Sequence, residues 1–192
     1  LYAFDEDESA TEYSQNALAS IGDNFKIFRK NFVNLKETLK TENINKVDGI
    51  LFDLGFSSPQ IDEKARGFSF MLDSFLDMRM DRTSKLTAFD VVNTYSVDKL
   101  TKIFYEYGEE KLSKSIATTI CNERKNKKIK TTFDLVEIIK KSTGSNYFFK
   151  NHPERKIFQA IRIEVNSELD VLEKTLPDAI ELLNQGGRIC VI

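Results

Sequence analysis

Histidine and cysteine are scarce in this chain of 192 residues, which has one His and two Cys. A single His excludes a multi-histidine metal site, although magnesium held by carboxylates alone stays open. The two cysteines, Cys121 and Cys190, are too few for a disulfide framework or a zinc cluster. This usage suits a reducing compartment, and we expect a cytoplasmic protein with no resident metal.

Long hydrophobic runs are also lacking. No stretch approaches the roughly 18 apolar residues that span a bilayer, and no basic start followed by an apolar stretch indicates a signal peptide. We therefore expect a soluble protein without a membrane partner. A hydrophobic share of 41% is enough to bury the core of one domain, or of a domain with a subdomain, and it excludes a disordered or fibrous chain.

Charge is distributed unevenly, although the net charge is only −2. Residues 86–163 carry 15 Lys or Arg against 9 Asp or Glu, a balance of +6, and the remainder carries a balance of −8. Such a split is typical of a segment that binds anions, attached to a body that does not.

Strand and helix patterns alternate through the first 52 residues and return near the end of the chain. The predicted strands are 1–4, 25–28, 47–52 and 188–192, and the predicted helices among them are 9–22, 32–39 and 158–176, with a restart at Pro177. This alternation predicts an α/β fold with a parallel sheet covered on both faces.

The middle of the chain has a different pattern. Residues 55–85 show no periodicity, and a long irregular stretch inside a compact domain is usually functional. Helical patterns then follow without a strand between them, at 97–107, 109–124 and 132–142. We predict an all-helical insert at 86–151, which carries most of the basic excess, within a domain formed by 1–85 and 152–192.

Two aspartates directly follow predicted strands. Asp5 follows the first apolar run, and Asp53 follows the run at 47–52. In open parallel sheets, ligands bind beyond the carboxyl ends of the strands, where an acidic residue can accept hydrogen bonds from the two hydroxyls of a ribose. The sequence therefore favours a nucleoside-containing ligand at this edge, while for Asp5 alone an ordinary turn or helix-cap aspartate stays open.

The loop after Asp53 reads LGFSSPQ at 54–60. It resembles the Ser-Pro-Pro-aromatic or Asp-Pro-Pro-aromatic loop of methyltransferases that act on exocyclic amines of bases. Such an amine is a poor nucleophile because its lone pair is delocalised into the ring, and a pocket that accepts its N–H hydrogens localises that pair. The residues that we expect to orient the amine are Asp53, Ser57, Ser58 and Pro59. The Ser-Pro pair alone does not exclude an ordinary turn.

Longer motifs point to a family. Residues 51–62 read LFDLGFSSPQID, followed by RGFSF at 66–70 and LDMRMD at 76–81. Further along the chain are YGEEK at 107–111, FQAIRI at 158–163 and VNSEL at 165–169. In this order they resemble the cytosine-N4 methyltransferases of small-subunit ribosomal RNA, the MraW family, over nearly the whole chain.

The resemblance implies a Rossmann-like methyltransferase sheet, incomplete at both ends, and S-adenosylmethionine as methyl donor. It implies as target the N4 amine of a cytidine in the decoding centre of 16S rRNA, so that the partner is 16S rRNA or the small ribosomal subunit. Asp5 matches the acidic residue that holds the donor's ribose, and Phe32 matches a Phe that lines the adenine region. Asp53 and Gln60 match further donor-binding positions. Whether the protein is a monomer or a homodimer stays open.

Basic residues supply candidates for RNA contact. A charge run is usually a solvated helix end, but on an insert with a basic excess, contact with RNA phosphates explains it better. The densest cluster consists of Arg124, Lys125, Lys127, Lys128 and Lys130. Arg66 and Arg79, near the predicted pocket, are candidates for holding the target nucleotide, with structural ion pairs to Asp73, Asp77 or Asp81 equally open.

Two segments of the family pattern do not appear. One is a Gly-rich loop before the first strand, which wraps the methionine part of the donor, and the other is SFHSLEDR after residue 192. We therefore expect an internal fragment of a longer enzyme. A non-catalytic RNA-binding fragment stays open as an alternative, as does a nicotinamide-dependent oxidoreductase, although the latter has no use for the Ser-Ser-Pro-Gln loop.

Overall fold

The computed structural model describes residues 1–192, apart from the side chains of residues 58 and 59. The chain forms two compact units. Unit 1 comprises Leu1–Gly55, Met80–Arg82 and Ser167–Ile192, and unit 2 comprises Phe56–Arg79 and Thr83–Asn166. The α/β class that the sequence predicts is confirmed, whereas the predicted limits of the helical insert, 86–151, stay a prediction.

The elements follow one another as strands and helices in unit 1 and as helices alone in the described part of unit 2. In chain order they are β1 (Tyr2–Asp5), α1 (Glu8–Ala19), β2 (Lys26–Arg29), α2 (Leu35–Thr41), β3 (Val47–Phe52), α3 (Ser58–Asp62), α4 (Ala88–Thr94), α5 (Val97–Glu106), α6 (Ser113–Asn126), α7 (Thr132–Thr143), α8 (Ser145–Asn151), α9 (Pro153–Asn166), α10 (Glu168–Leu182) and β4 (Leu183–Val191). Single 3-10 turns lie at Phe32–Asn34 and Lys64–Arg66.

The strands of unit 1 pair in parallel, as predicted, in two separate two-stranded sheets. Strand β1 pairs with β2, with Ala3 opposite Ile27, and β3 pairs with β4, with Ile50 opposite Ile189. In a parallel arrangement the carboxyl ends of paired strands share one edge. Asp5 therefore lies at the carboxyl edge of the β1–β2 pair, and Asp53 directly follows the carboxyl edge of the β3–β4 pair.

The core of unit 1 joins β3 to two helices. Leu39 of α2, Phe52 of β3 and Leu182 of α10 are all buried in one cluster. Helix α10 is continuous through Pro177, so the predicted restart at that proline is wrong. The break in the chain lies at Ser167, whose backbone is left-handed with φ of 51°. Burial of the α10 face against the strand offsets the cost of a proline inside a helix, which is about 3 kcal/mol.

Besides α3, unit 2 contains two short helices that the sequence pattern does not reveal. Helices α4 and α8 have seven residues each, too few to show a clear periodicity. Helix α4 begins at a capping box, in which the Thr87 hydroxyl and the Asp90 carboxylate each bind the other residue's backbone N–H. Helix α8 follows directly after Gly144, which ends α7. Helix α8 connects α7 to α9, and α4 contributes Val91 and Val92 to the buried side chains of the unit.

The described residues contain neither a candidate membrane span nor a candidate metal cluster. None of the helices described is both long and apolar enough to cross a membrane. The same residues contain no group of three or more His, Cys, Asp or Glu side chains placed to hold a metal ion.

Candidate functional site

A cavity of about 870 Å³ lies in unit 1 between β1 and β3. It is lined by residues 1–5 and 47–54, with Phe32, Leu35 and Leu39 from the segment between the strands. Successive residues of a strand point to opposite faces, yet consecutive residues of both strands line this space. The backbone edge of each strand therefore lines the cavity, in addition to the side chains on one face of the strand.

Asp5 and Asp53 both line this cavity. Asp5 is the last residue of β1, and Asp53 directly follows β3. Asp5 is fixed by a tight turn, because its Oδ1 atom accepts a hydrogen bond of 2.7 Å from the backbone N–H of Asp7. Asp7 in turn caps α1 by accepting from the N–H of Ser9 at 3.0 Å. Strand end, turn and helix start are thus linked in one short segment, which holds the Asp5 carboxylate at the carboxyl end of β1.

Phe32 is held near the same strand end by its neighbour Asn31. The Asn31 amide donates a 2.8 Å hydrogen bond to Oε1 of Glu6, and its Oδ1 atom accepts from the backbone N–H of Val33. The half-buried Phe32 ring packs edge-on against Phe52, with the ring centroids 5.5 Å apart. Three of the predicted donor-binding residues, Asp5, Phe32 and Asp53, are therefore brought to one cavity.

The negative charge at the end of β1 affects Glu6. Burial raises the pKa of the Glu6 carboxyl above its usual value, and the charges of Asp81 and Asp5 raise it further, against the hydrogen bond from Asn31. A carboxyl whose pKa is raised holds its proton more readily. Glu6 therefore ionises less readily than an exposed carboxyl.

The Ser57–Gln60 turn belongs to unit 2. The Ser57 N–H donates to Oε1 of Gln60 at 3.1 Å, and the Gln60 N–H donates to the Ser57 carbonyl at 3.0 Å. Gln60 is buried, so its amide stabilises the first turn of α3. The predicted side-chain roles of Ser58 and Pro59 lie outside the described residues, and a donor contact by Gln60 stays a prediction.

Cations and aromatic rings alternate beside this turn. The Arg162 guanidinium lies 4.8 Å from the Phe56 ring centroid, the Phe56 and Phe68 rings are 6.1 Å apart, and Arg66 lies 5.7 Å from the Phe68 ring. Phe68 is buried and Phe56 is exposed. Sequence reasoning did not identify Phe56 or Arg162, although both lie in the motifs that carry the family resemblance.

Arg66 and Arg79 both make intramolecular contacts. Arg66 is 4% exposed and donates to the Arg79 carbonyl at 3.1 Å. Arg79 forms a two-pronged ion pair with Asp77, at 2.7 and 2.8 Å, and also donates to the Ser84 carbonyl. The ion pair with Asp77 is one of the alternatives that the sequence leaves open. Contact of these two arginines with RNA stays a prediction.

The basic segment 124–130 contains one half-buried arginine, which binds backbone carbonyls, and several exposed lysines. The half-buried Arg124 donates to the carbonyls of Val92 and Tyr95 at 2.7 and 2.6 Å, and so satisfies the carboxyl end of α4. Lys127 pairs with Asp134 at 3.2 Å, and Lys125 contacts Asn122. The remaining cations of the segment, Lys128 and Lys130, have exposed side chains. The exposed lysines are therefore better placed for phosphates than Arg124.

Comparison with known proteins gives one consistent result. A family model described as the MraW methylase family matches residues 1–192. A protein of Finegoldia magna named "Ribosomal RNA small subunit methyltransferase H" is 50% identical over 194 residues, and a protein of Exiguobacterium sibiricum with the same name is 50% identical over 193. Each alignment covers 100% of this chain and 62% of the relative, so the chain spans less than two thirds of the length of these relatives.

Proposed function

The chain belongs to the MraW methylase family, and from that premise we propose that the protein methylates the N4 amine of a cytidine in the decoding centre of 16S rRNA, with S-adenosylmethionine as donor. The observation that carries the proposal is the placement of Asp5, Phe32 and Asp53 around one cavity. The names of the relatives, which specify small-subunit ribosomal RNA, support the substrate.

The cavity residues suit a nucleoside-containing donor. Its mainly apolar walls carry three carboxylates and four aromatic rings, those of Asp5, Asp48 and Asp53 and of Tyr2, Phe4, Phe32 and Phe52. A carboxylate at the end of β1 can accept hydrogen bonds from both hydroxyls of a ribose, and the Phe32 ring offers an apolar face for adenine. S-adenosylmethionine would supply a methyl group on a positively charged sulfur, which the carboxylates around Asp5 and Asp53 favour electrostatically.

The residues after β3 would orient the target amine. The Asp53 carboxylate can accept an N–H hydrogen of the base, and the exposed Ser57 can accept or donate through its hydroxyl. The Ser57 carbonyl is already engaged by the N–H groups of Gln60 and Ile61, so a backbone acceptor for the amine would come from Ser58 or Pro59. Accepting these hydrogens localises the lone pair on nitrogen. The methylated amine is cationic and loses its proton readily, so no buried base is required.

Recognition of RNA is assigned to the basic segment of unit 2. Residues 86–163 carry a charge balance of +6, and Lys125, Lys128 and Lys130 have exposed side chains. Such lysines neutralise phosphates and position the substrate without reading its sequence. The bases would be selected elsewhere, next to the residues that orient the amine.

The test is an Asp53→Ala variant in a protein of the full length of its relatives. Transfer of tritiated methyl from S-adenosylmethionine into small-subunit rRNA should fall to background, while RNA binding measured by filter retention persists. Asp23→Ala, which removes an exposed carboxylate from the loop before β2, should leave transfer unchanged. Undiminished methylation of deproteinised or partly assembled small subunits by the Asp53 variant would refute the role of Asp53.

A further inference from the structure

A second group of candidate RNA contacts lies on α7 and α8, outside the basic segment 124–130. Phe149 of α8 is 63% exposed, and the Lys140 ammonium lies 5.1 Å from its ring centroid. Phe133 is 44% exposed and precedes Lys140 by seven residues, or two turns, on the same face of α7. We call Phe133, Lys140 and Phe149 the Phe149 patch. It combines one accessible ring from each helix with a cation that lies against the Phe149 ring.

The Phe149 ring is held in place although most of it is exposed. Its neighbour Phe148 is buried, and the two rings pack at right angles with their centroids 5.5 Å apart. Lys140 lies against the ring from the last turn of α7. An aromatic ring fixed by a buried partner loses little conformational entropy when a ligand stacks on it.

The chemistry of the patch suits an unpaired base. Aromatic side chains bind single-stranded nucleic acid by stacking, because every base has a flat face, and neighbouring cations bind the phosphates. An apolar protein partner would instead need a contiguous apolar surface. Here the exposed Lys140 and Lys150 accompany the Phe149 ring, while a third exposed lysine, Lys141, forms an ion pair with Glu123 at 2.6 Å. Glu137 is an exposed acidic residue on the same stretch of α7.

We propose that Phe149 stacks on an unpaired base of the RNA substrate while Lys140 binds an adjacent phosphate. This inference rests on the proposed function, because it assumes that the protein binds RNA. It adds a contact that depends on base stacking to the phosphate contacts of the segment 124–130. Helix α6 begins at Ser113 and ends within that segment, at Asn126. In its first turn, the Ser115 hydroxyl donates a hydrogen bond to the carbonyl of Ser142, in the last turn of α7. Lys140, in the last turn of α7, is therefore close to the beginning of α6, whereas Phe133 follows the basic segment by three residues at the other end of α7.

The experiment measures binding of the full-length protein to a single-stranded RNA of mixed sequence and to its duplex, at several salt concentrations. Phe149→Ala should weaken binding of the single strand about tenfold, since stacking contributes strongly per base, and should leave the salt dependence unchanged. Phe149→Tyr should restore binding. Lys140→Gln should lower the slope of log K against log salt by about 0.7.

Tyr105→Ala is the matched control. Tyr105 is 65% exposed on α5, and among the described residues no cation lies against its ring, so its removal should leave binding unchanged. Thermal unfolding of every variant confirms that it folds.

Three results separate the possibilities. If the unmodified protein fails to bind RNA, the proposed function fails with the inference. If it binds RNA and Phe149→Ala binds equally well, only the inference is overturned. Equal losses for Phe149→Ala and Phe149→Tyr would also overturn it, because tyrosine retains the stacking face.

Discussion

The hydroxyl of Tyr147 donates a 2.6 Å hydrogen bond to Oε1 of Glu110, a carboxylate with no exposed surface. The same oxygen accepts from the N–H of Leu112 at 2.8 Å, and the Lys156 ammonium lies 3.8 Å from the other oxygen, Oε2. Glu110 therefore joins the start of α6 to α8 and α9. It belongs to the YGEEK motif, so this part of the family pattern serves the packing of unit 2.

Replacing Tyr147 by Phe should lower the free energy of unfolding by about 2 kcal/mol near neutral pH, since a hydrogen bond to a buried charged group is lost. Burial, followed by the hydrogen bond to Glu110, raises the pKa of Tyr147 to about 12. An unfolded Tyr titrates near 10. The stabilisation is therefore complete below about pH 10 and is lost as the pH rises towards 12.

The measurement is denaturant unfolding of both proteins at about pH 8 and about pH 11. The difference between them should narrow at the higher pH. Tyr105→Phe, at an exposed position, should show no such difference at either pH. A constant difference between Tyr147→Phe and the unmodified protein would contradict the pH dependence.

Gly67 allows the RGFSF and LDMRMD motifs to approach each other closely. Its φ is +69°, and a Cβ atom at this position would lie 2.3 Å from the Phe75 carbonyl oxygen and 2.9 Å from the Asp77 nitrogen. Gly67→Ala should therefore lower the free energy of unfolding by at least about 3 kcal/mol, through backbone strain and steric overlap together.

Gly144→Ala separates these two causes. Gly144 has a similar φ of +76°, but nothing lies within 4 Å of a Cβ placed there. With ψ of 151°, Gly144 has a backbone conformation that is essentially restricted to glycine, so this variant should cost about 1 to 3 kcal/mol through backbone strain alone. For Gly67, whose ψ of 17° is left-handed, a loss of only about 1 to 2 kcal/mol in denaturant unfolding would show that the close approach contributes nothing.

Local sequence patterns predict the strand ends of unit 1. Asp5 and Asp53 each follow a short apolar run, and the structure brings both to one cavity. The prediction succeeds because a strand and the acidic residue after it are encoded by neighbouring residues. The division of the strands into two separate pairs is not encoded in this way, because it depends on contacts between distant segments.

The partners of basic residues cannot be predicted from the local sequence. Arg124 has the same type of charge as Lys128 and lies in the same run, yet its partners are the carbonyls of Val92 and Tyr95, about 30 residues earlier. No sequence pattern distinguishes a cation that caps a distant helix from one that faces solvent. The exposure of Phe149 is hidden in the same way, since an aromatic pair at 148–149 indicates burial as readily as exposure.

Arg124 and Lys128 should therefore respond differently to the same substitution. Arg124→Gln removes two hydrogen bonds to the end of α4 and should lower the free energy of unfolding by about 2 kcal/mol. Lys128→Gln should change it by less than about 0.5 kcal/mol. In RNA-binding titrations, Lys128→Gln should reduce the slope of log K against log salt by about 0.7, as expected for one lost phosphate contact. An unchanged slope would remove Lys128 from the RNA interface.

Asn93 provides a test of how unit 2 holds the basic segment. Its buried amide donates to the Phe89 and Ile129 carbonyls at 2.9 and 2.8 Å, and its Oδ1 atom accepts from the Ile129 N–H. Asn93→Ala leaves the backbone groups of Ile129 unpaired and should cost about 3 kcal/mol. Hydrogen exchange should locate the loss at the Ile129 amide, and continued protection of that amide would contradict the assignment.

Asp5 is the residue on which donor binding can be tested separately from methyl transfer. In Asp5→Asn, the amide oxygen can still accept from the Asp7 N–H, so the turn after β1 is retained while the negative charge is removed. A carboxylate that binds two ribose hydroxyls loses its charge-assisted hydrogen bonds in this variant, and donor affinity should fall about tenfold to a hundredfold. Calorimetry with S-adenosylmethionine and the full-length protein measures this fall, with Asp23→Asn as the control of equal charge change. RNA affinity should stay the same in both variants. If Asp5→Asn binds the donor as tightly as the control does, the ribose is held by other residues, and the cavity between β1 and β3 loses its strongest link to the donor.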